Sequence, residues 1–253
     1  MLESYLRKRL EKKDILLMTH IVLGYPSLDD SYRVVEAMVK AGVDIMELQI
    51  PFSEPTADGP VIARANQEAL NKGTTVDQCL DTAQSITRSF NIPFLFMTYY
   101  NIPFKYGIDR FVTAMSDRGI RGAIIPDLPP EEGQDYLDAM DKYGLDPVLI
   151  FSPTTSHERM RYIASSARGL IYCVARKGVT GRDTDLSAEL ADYLGRCREA
   201  TTLPLAVGFG IKEKADLDFL KGKADIAVIG TQSIRIMEEK GIPALYEFIY
   251  RLR

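Results

Sequence analysis

The chain is poor in the features that would assign it to several large classes of protein. It has three cysteines, Cys79, Cys173 and Cys197, an odd number with no pair at redox or metal-ligand spacing. Neither a disulfide framework nor a zinc site is expected from that pattern, and no metal is expected at all. No stretch approaches the roughly 18 apolar residues of a membrane span, and no apolar signal-peptide core stands near Met1. A cytoplasmic protein without a membrane partner is the expectation. Excess charge is also lacking: the formal net charge is -4 and the pI near 5.4, which argues against a nucleic-acid partner. The one basic run, Arg7 to Lys13, is interleaved with acid and reads as a solvated helix face. Neither G-x-x-x-x-G-K-[ST] nor G-x-G-x-x-G occurs, so both nucleotide fingerprints are absent.

What is present is an alternation. Eight short apolar runs, at 15–22, 44–50, 94–100, 122–126, 147–151, 169–175, 204–208 and 226–230, are too short for helices and rich in β-branched or aromatic residues. Continuous apolar runs of that kind suit strands buried on both faces. Amphipathic segments lie between them. "SLDDSYRVVEAMVKAG" opens on Ser27 as an N-cap and stops at Gly42, and "GIDRFVTAMSDRG" and "PEEGQDYLDAMDKYG" repeat the plan. Strands that alternate with helices pair in parallel through right-handed crossovers. Eight such units in 253 residues, without a linker or low-complexity tract, predict one α/β domain over 1–253. Its expected form is a (β/α)8 TIM barrel, with 2–13 as an extra N-terminal helix against the barrel bottom.

Active sites of such barrels sit at the C-terminal ends of the strands, so the residues there are the candidates. Strand two supplies Glu47 and a loop ending in Asp58, strand three Tyr99 to Asn101, and strand four Asp127. Glu47 is flanked by Met46, Leu48 and Ile50, which favours a paired or functional acid over a solvated one. Loops after strands seven and eight carry Gly208-Phe209-Gly210 and Gly230-Thr231-Gln232-Ser233, and Gly181 lies in the loop after strand six. Glycines admit backbone N–H groups close to an anion, and a following helix N-terminus favours it, so these three loops predict a phosphate site. No strand end carries the desolvated lysine of a Schiff-base aldolase; Lys177 falls in a glycine-rich loop.

"ELQIPFSEPTADGP", "FMTYYNIPFKYGIDRF" and "IIPDLPPEE", followed in order by "RKGVTG", "VGFGI" and "IGTQSI", resemble the tryptophan synthase alpha chain family over nearly the whole chain. The resemblance implies retro-aldol cleavage of indole-3-glycerol phosphate to indole and glyceraldehyde 3-phosphate, a step of tryptophan biosynthesis. By motif position it implies Glu47 as general acid/base and Asp58 as the carboxylate that meets the indole N–H. His20, Tyr99, Ile124 and Tyr172 would surround the indole. Gly181, Phe209, Gly210, Gly230 and Thr231 would hold the phosphate, and Arg176 and Thr180 would belong to a closing lid. No metal or organic cofactor is implied for this chain. Pyridoxal phosphate (PLP) is expected only in a beta-chain partner, within an α2β2 assembly.

Four single positions and one inverted dipeptide depart from the family pattern. Gln49 stands where glycine is usual, Glu54 and Thr56 replace Asp and Leu, His20 replaces an aromatic wall residue, and "NIPF" inverts the common "NPIF". His20 can be read as pocket wall or as a hydrogen-bonded core residue. These departures keep two alternatives open: a regulatory subunit that mainly activates a beta chain, and a lyase for a modified indole phosphosugar.

Overall fold

The computed structural model describes residues 2–175, 183–208 and 210–253, the side chains of 183–187 excepted. Eight strands, β1 (Leu16–Val22), β2 (Ile45–Gln49), β3 (Phe94–Met97), β4 (Gly122–Ile124), β5 (Asp146–Phe151), β6 (Ile171–Val174), β7 (Leu205–Gly208) and β8 (Ile226–Ile229), form a closed barrel in sequence order. All pairings are parallel, and Leu16 opposite Ile226 closes the ring between β1 and β8. Each predicted strand is present; the fifth begins one residue earlier than expected, at Asp146, and the others are trimmed at one or both ends. The fourth stops at Ile124, two residues early, because Pro126 has no N–H for the ladder.

Helices α1 (Leu2–Leu10), α2 (Leu28–Ala41), α3 (Pro60–Asn71), α4 (Val76–Ser89), α5 (Asn101–Tyr106), α6 (Ile108–Asp117), α7 (Gln134–Lys142), α8 (His157–Ser166), α9 (Asp183–Ala200), α10 (Lys214–Leu220) and α11 (Thr231–Leu252) complete the chain. Ser27 caps α2 by accepting from Asp30 N, and Gly42 ends it at φ 99°, donating its N–H to Met38 and Val39 carbonyls. A side chain at that φ would be strained, which is why glycine stops the helix there.

Two apolar layers follow from the strand alternation. Outward residues such as Leu17, Met46, Phe96 and Val207 pack under the helices. Inward ones, including Leu16, Met18, Ile45, Leu95, Val148 and Ile226, fill the barrel floor together with Leu2 and Leu6 of α1. Helix α1 therefore plugs the N-terminal mouth, as the sequence predicted.

The basic run differs from expectation. Arg9 Nε and Lys13 Nζ donate to Asp44 Oδ1 at 3.0 and 2.7 Å, and Arg7 donates to Glu3 and to the Thr202 carbonyl. Asp44 stands immediately before β2, is 0% exposed, and also accepts from Leu17 N. A carboxylate buried at the barrel foot requires cations, and this run supplies them rather than facing solvent alone.

Candidate active site

The C-terminal mouth opens into a cavity of about 620 Å³, within the range of small-molecule sites. Its floor is formed by the inward layer of β1 and β2 that holds His20 and Glu47. His20 and Glu47 lie opposite each other in the ladder, and inward alternation places Gln49 one layer above. Glu47 is 3% exposed and His20 4%. His20 Nδ1 is 2.9 Å from Glu47 Oε2, while Glu47 Oε1 has no hydrogen-bond partner among the described residues. Burial works against a charged imidazole, but the hydrogen bond and charge of Glu47 outweigh it with help from Asp58 and Gln49. The His20 pKa is raised above its ordinary 6.5.

Asp58 reaches the same cavity from the loop after β2. That loop is anchored by Asn66 on α3, which accepts from Phe52 N at 2.9 Å and donates to the Ile62 carbonyl. The Asp58 carboxylate is aimed by two donors to its Oδ2: Gln49 Nε2 at 2.7 Å and the Tyr99 hydroxyl at 3.0 Å. Tyr99 also accepts from Ala57 N at 3.0 Å and stacks on Phe52 with centroids 5.2 Å apart. Burial first, and then the charge of Asp58, raise the Tyr99 pKa, so the phenol stays a donor. Asp127 secures the next loop, accepting from Tyr100 N at 2.9 Å.

The walls are apolar: Met97, Ile124, Ile150, Tyr172 and Val228 line the cavity. Tyr172 is held neutral by burial and by the charges of Glu47 and Asp58. A Cβ on Gly208 would stand 2.9 Å from the Tyr172 hydroxyl, so glycine at this strand end makes room for the ring.

Glycines, a helix start and two cations, groups suited to an anion, lie on the part of the rim formed after β7 and β8. Gly210, Ile211 and Lys212 follow β7, while Gly230, Thr231, Gln232 and Arg235 form the start of α11. The first N–H groups of a helix lack intrahelical acceptors and favour an anion. Asp216 accepts from Lys212 N at 2.8 Å and fixes the backbone of that turn.

Thus Glu47, Asp58, His20, Ile124, Tyr172, Gly210, Gly230 and Thr231 line one cavity, and Tyr99 stands behind Asp58. Arg176, Thr180, Gly181 and Phe209 lie outside the described residues, as does Lys177. A model of the family described as tryptophan synthase alpha chain matches residues 6–247. The chain belongs to the tryptophan synthase alpha chain family. The tryptophan synthase alpha chain of Syntrophotalea carbinolica is 60% identical over 253 residues, covering 100% of both chains. That of Desulforapulum autotrophicum is 61% identical over 252 residues, again with 100% of each covered. The crystal structure of tryptophan synthase subunit alpha from Legionella pneumophila has a TM-score of 0.90 at 30% identity, covering 99% of this chain and 96% of that one.

Within a tryptophan synthase alpha chain, the residues that sequence reasoning missed are Gln49 as a partner of Asp58, and Lys212 and Arg235 at the rim. A signal for the cations was available. Lys212 stands two residues after Gly210, and Arg235 stands one helical turn after Thr231. No signal announced the Gln49 contact, because it depends on how the loop after β2 folds back over its own strand.

Proposed function

We propose that the chain cleaves indole-3-glycerol phosphate to indole and glyceraldehyde 3-phosphate by a retro-aldol reaction. The observation that carries this reading is the placement of Glu47 and Asp58 in one cavity with an anion-binding rim. The phosphate would sit against Gly210, Gly230, Thr231 and the α11 N-terminus, with Lys212 and Arg235 adding charge, and Gly181 and Phe209 completing the cradle. The indole would then lie among Met97, Ile124, Ile150 and Tyr172, with its ring N–H toward Asp58.

The chemistry needs an acid that can give and take a proton. Glu47 delivers a proton to indole C3, generating a cationic indolenine whose N–H is stabilised by the Asp58 carboxylate. Glu47 then removes the proton of the side-chain hydroxyl. The carbonyl forms, the carbon–carbon bond breaks, and its electron pair restores the indole ring. The net proton count on Glu47 is unchanged, and the steps require no organic cofactor or metal. A lid carrying Arg176 and Thr180 would exclude water during these steps.

The partner under this reading is a PLP-dependent beta chain in an α2β2 assembly, in the cytoplasm, docking on the segment 51–60 and on 101–106, which folds as the short helix α5. Glu54 and Thr56 are exposed on the first of these segments, and Phe104 is exposed on the second. Replacing Glu47 by Gln should reduce indole release by about a hundred- to ten-thousandfold while the fold persists, as loss of a general acid/base does. Retained turnover in that variant would sink the assignment. Indole formed by the isolated chain separates the lyase from a purely regulatory subunit. His20 in place of an aromatic wall is the observation that favours a modified indole, and competition between indole-3-glycerol phosphate and ring-substituted analogues tests it.

A further inference from the structure

We propose that His20 is a positioning residue for Glu47, holding one carboxylate oxygen from inside the barrel and sharing with it the proton used on the substrate. This rests on the lyase reading above. The strand register makes the contact obligatory: His20 and Glu47 are paired across β1 and β2, and both side chains point into the same layer. Both are more than nine-tenths buried, and Nδ1 lies 2.9 Å from Oε2. The contact occupies Oε2 and leaves Oε1 for the substrate.

The acids around the imidazole favour its protonated form, against burial that leaves Nε2 without a hydrogen-bond partner among the described residues. From β2 come Glu47 and the neutral Gln49 amide, and from the following loop Asp58, both acids adding to the His20 proton affinity. Across the barrel β6 presents Tyr172, a neutral phenol. Behind the imidazole, the small cavity it shares with α2 and α11 contains Tyr25 and Ser233. Tyr25 is held by Glu238 and titrates only at about 12. The cations Lys212 and Arg235 line the rim of the main cavity.

The pair therefore holds one exchangeable proton, written either as imidazolium and carboxylate or as imidazole and carboxylic acid. In the second form Nδ1–H still donates to Oε2 and the exchangeable proton stands on Oε1; its donation to C3 leaves imidazole and carboxylate, and abstraction of the hydroxyl proton by Oε1 restores the starting pair. Nothing else is consumed. An aromatic residue at position 20, the usual family pattern, can supply neither the hydrogen bond nor the shared proton. Turnover should then depend on that proton and fall as pH rises through the raised titration of His20.

The chain has only two histidines, His20 and His157, so the imidazole can be followed directly. In protein carrying His157→Asn, nitrogen-detected NMR should show a single imidazole titrating above pH 6.5. Adding Glu47→Gln should lower that midpoint by about one unit or more, as expected on losing an adjacent charge. An unchanged midpoint overturns the proposal, and this arm does not depend on turnover. In the kinetic arm, His20→Asn keeps an N–H toward Oε2 but removes the titrating ring. The alkaline limb of kcat should move toward acid by about one unit or more, because the proton then resides on a hydrogen-bonded carboxyl alone. A limb that superimposes on that of the unaltered protein refutes proton sharing. No indole from the unaltered protein would refute the lyase reading, while the NMR result still decides the pairing.

Discussion

Gln49 Nε2 donates a 2.7 Å hydrogen bond to Asp58 Oδ2, tying the last residue of β2 to the carboxylate that closes the loop after it. Gln49 is 0% exposed and points into the barrel one layer above Glu47. A single strand therefore sets both acids, one directly and the other through an amide. With glycine at this position, Asp58 would keep only the Tyr99 hydroxyl of these two donors. The departure from the family pattern thus stiffens the acid rather than dispensing with it.

Replacing Gln49 by Ala should lower kcat for indole formation about tenfold, since a hydrogen bond to a charged group is worth about 1.5–3 kcal/mol. Gln49→Glu, which matches the shape but faces Asp58 with a second carboxylate, should lose more and recover partly at low pH. Steady-state kinetics of the two variants across pH tests this. Equal activities for Ala and Glu at neutral pH would show that the amide does not aim Asp58.

Most of the barrel was legible because its strands announce themselves twice, by apolar continuity and by capped helices between them. Ser27 and Gly42 cap α2 as their types and spacing suggest. The roles of Arg9 and Lys13 were not legible, because the acid they serve, Asp44, is distant in sequence and buried only once the barrel closes. The site divides in the same way. Glu47 stood out as an acid in an apolar strand, and the rim glycines stood out by joint position. The His20–Glu47 and Gln49–Asp58 contacts depend on strand register and loop return, which no local pattern encodes.

The cations at the rim give a prediction that separates binding from chemistry. If the phosphate sits on this rim as proposed, Lys212→Met and Arg235→Met should each raise KM for indole-3-glycerol phosphate about tenfold with kcat little changed, since both cations would meet it in ground and transition states alike. Inhibition by glycerol 3-phosphate should weaken in parallel. A fall in kcat without a change in KM would place these side chains at the reacting atoms instead.

Gly208 tests the shape of the apolar wall. Its φ carries no strain for other residues, so the effect of a methyl group is steric alone: the new Cβ would sit 2.9 Å from the Tyr172 hydroxyl. Gly208→Ala should displace that ring into the cavity and cost about 1–3 kcal/mol of stability, as overpacking does. It should also lower kcat/KM by roughly tenfold. Restoring activity with Gly208→Ala/Tyr172→Phe, which removes the hydroxyl that clashes, would attribute the loss to this contact. Failure of the double variant to recover would assign it elsewhere.

The His20–Glu47 pair also predicts how stability responds to pH. The folded-state pKa of His20 lies above its ordinary 6.5, so the folded protein binds this proton more tightly than the unfolded chain. That stabilisation is fully present below pH 6.5 and is lost as pH rises through the raised value. Urea midpoints measured from pH 5.5 to 9 should therefore decline over the upper part of the range. In His20→Asn the same span should be flatter, because neither folded nor unfolded chain then titrates at position 20. A decline of equal size in both proteins would trace it to other groups and remove His20 as its source.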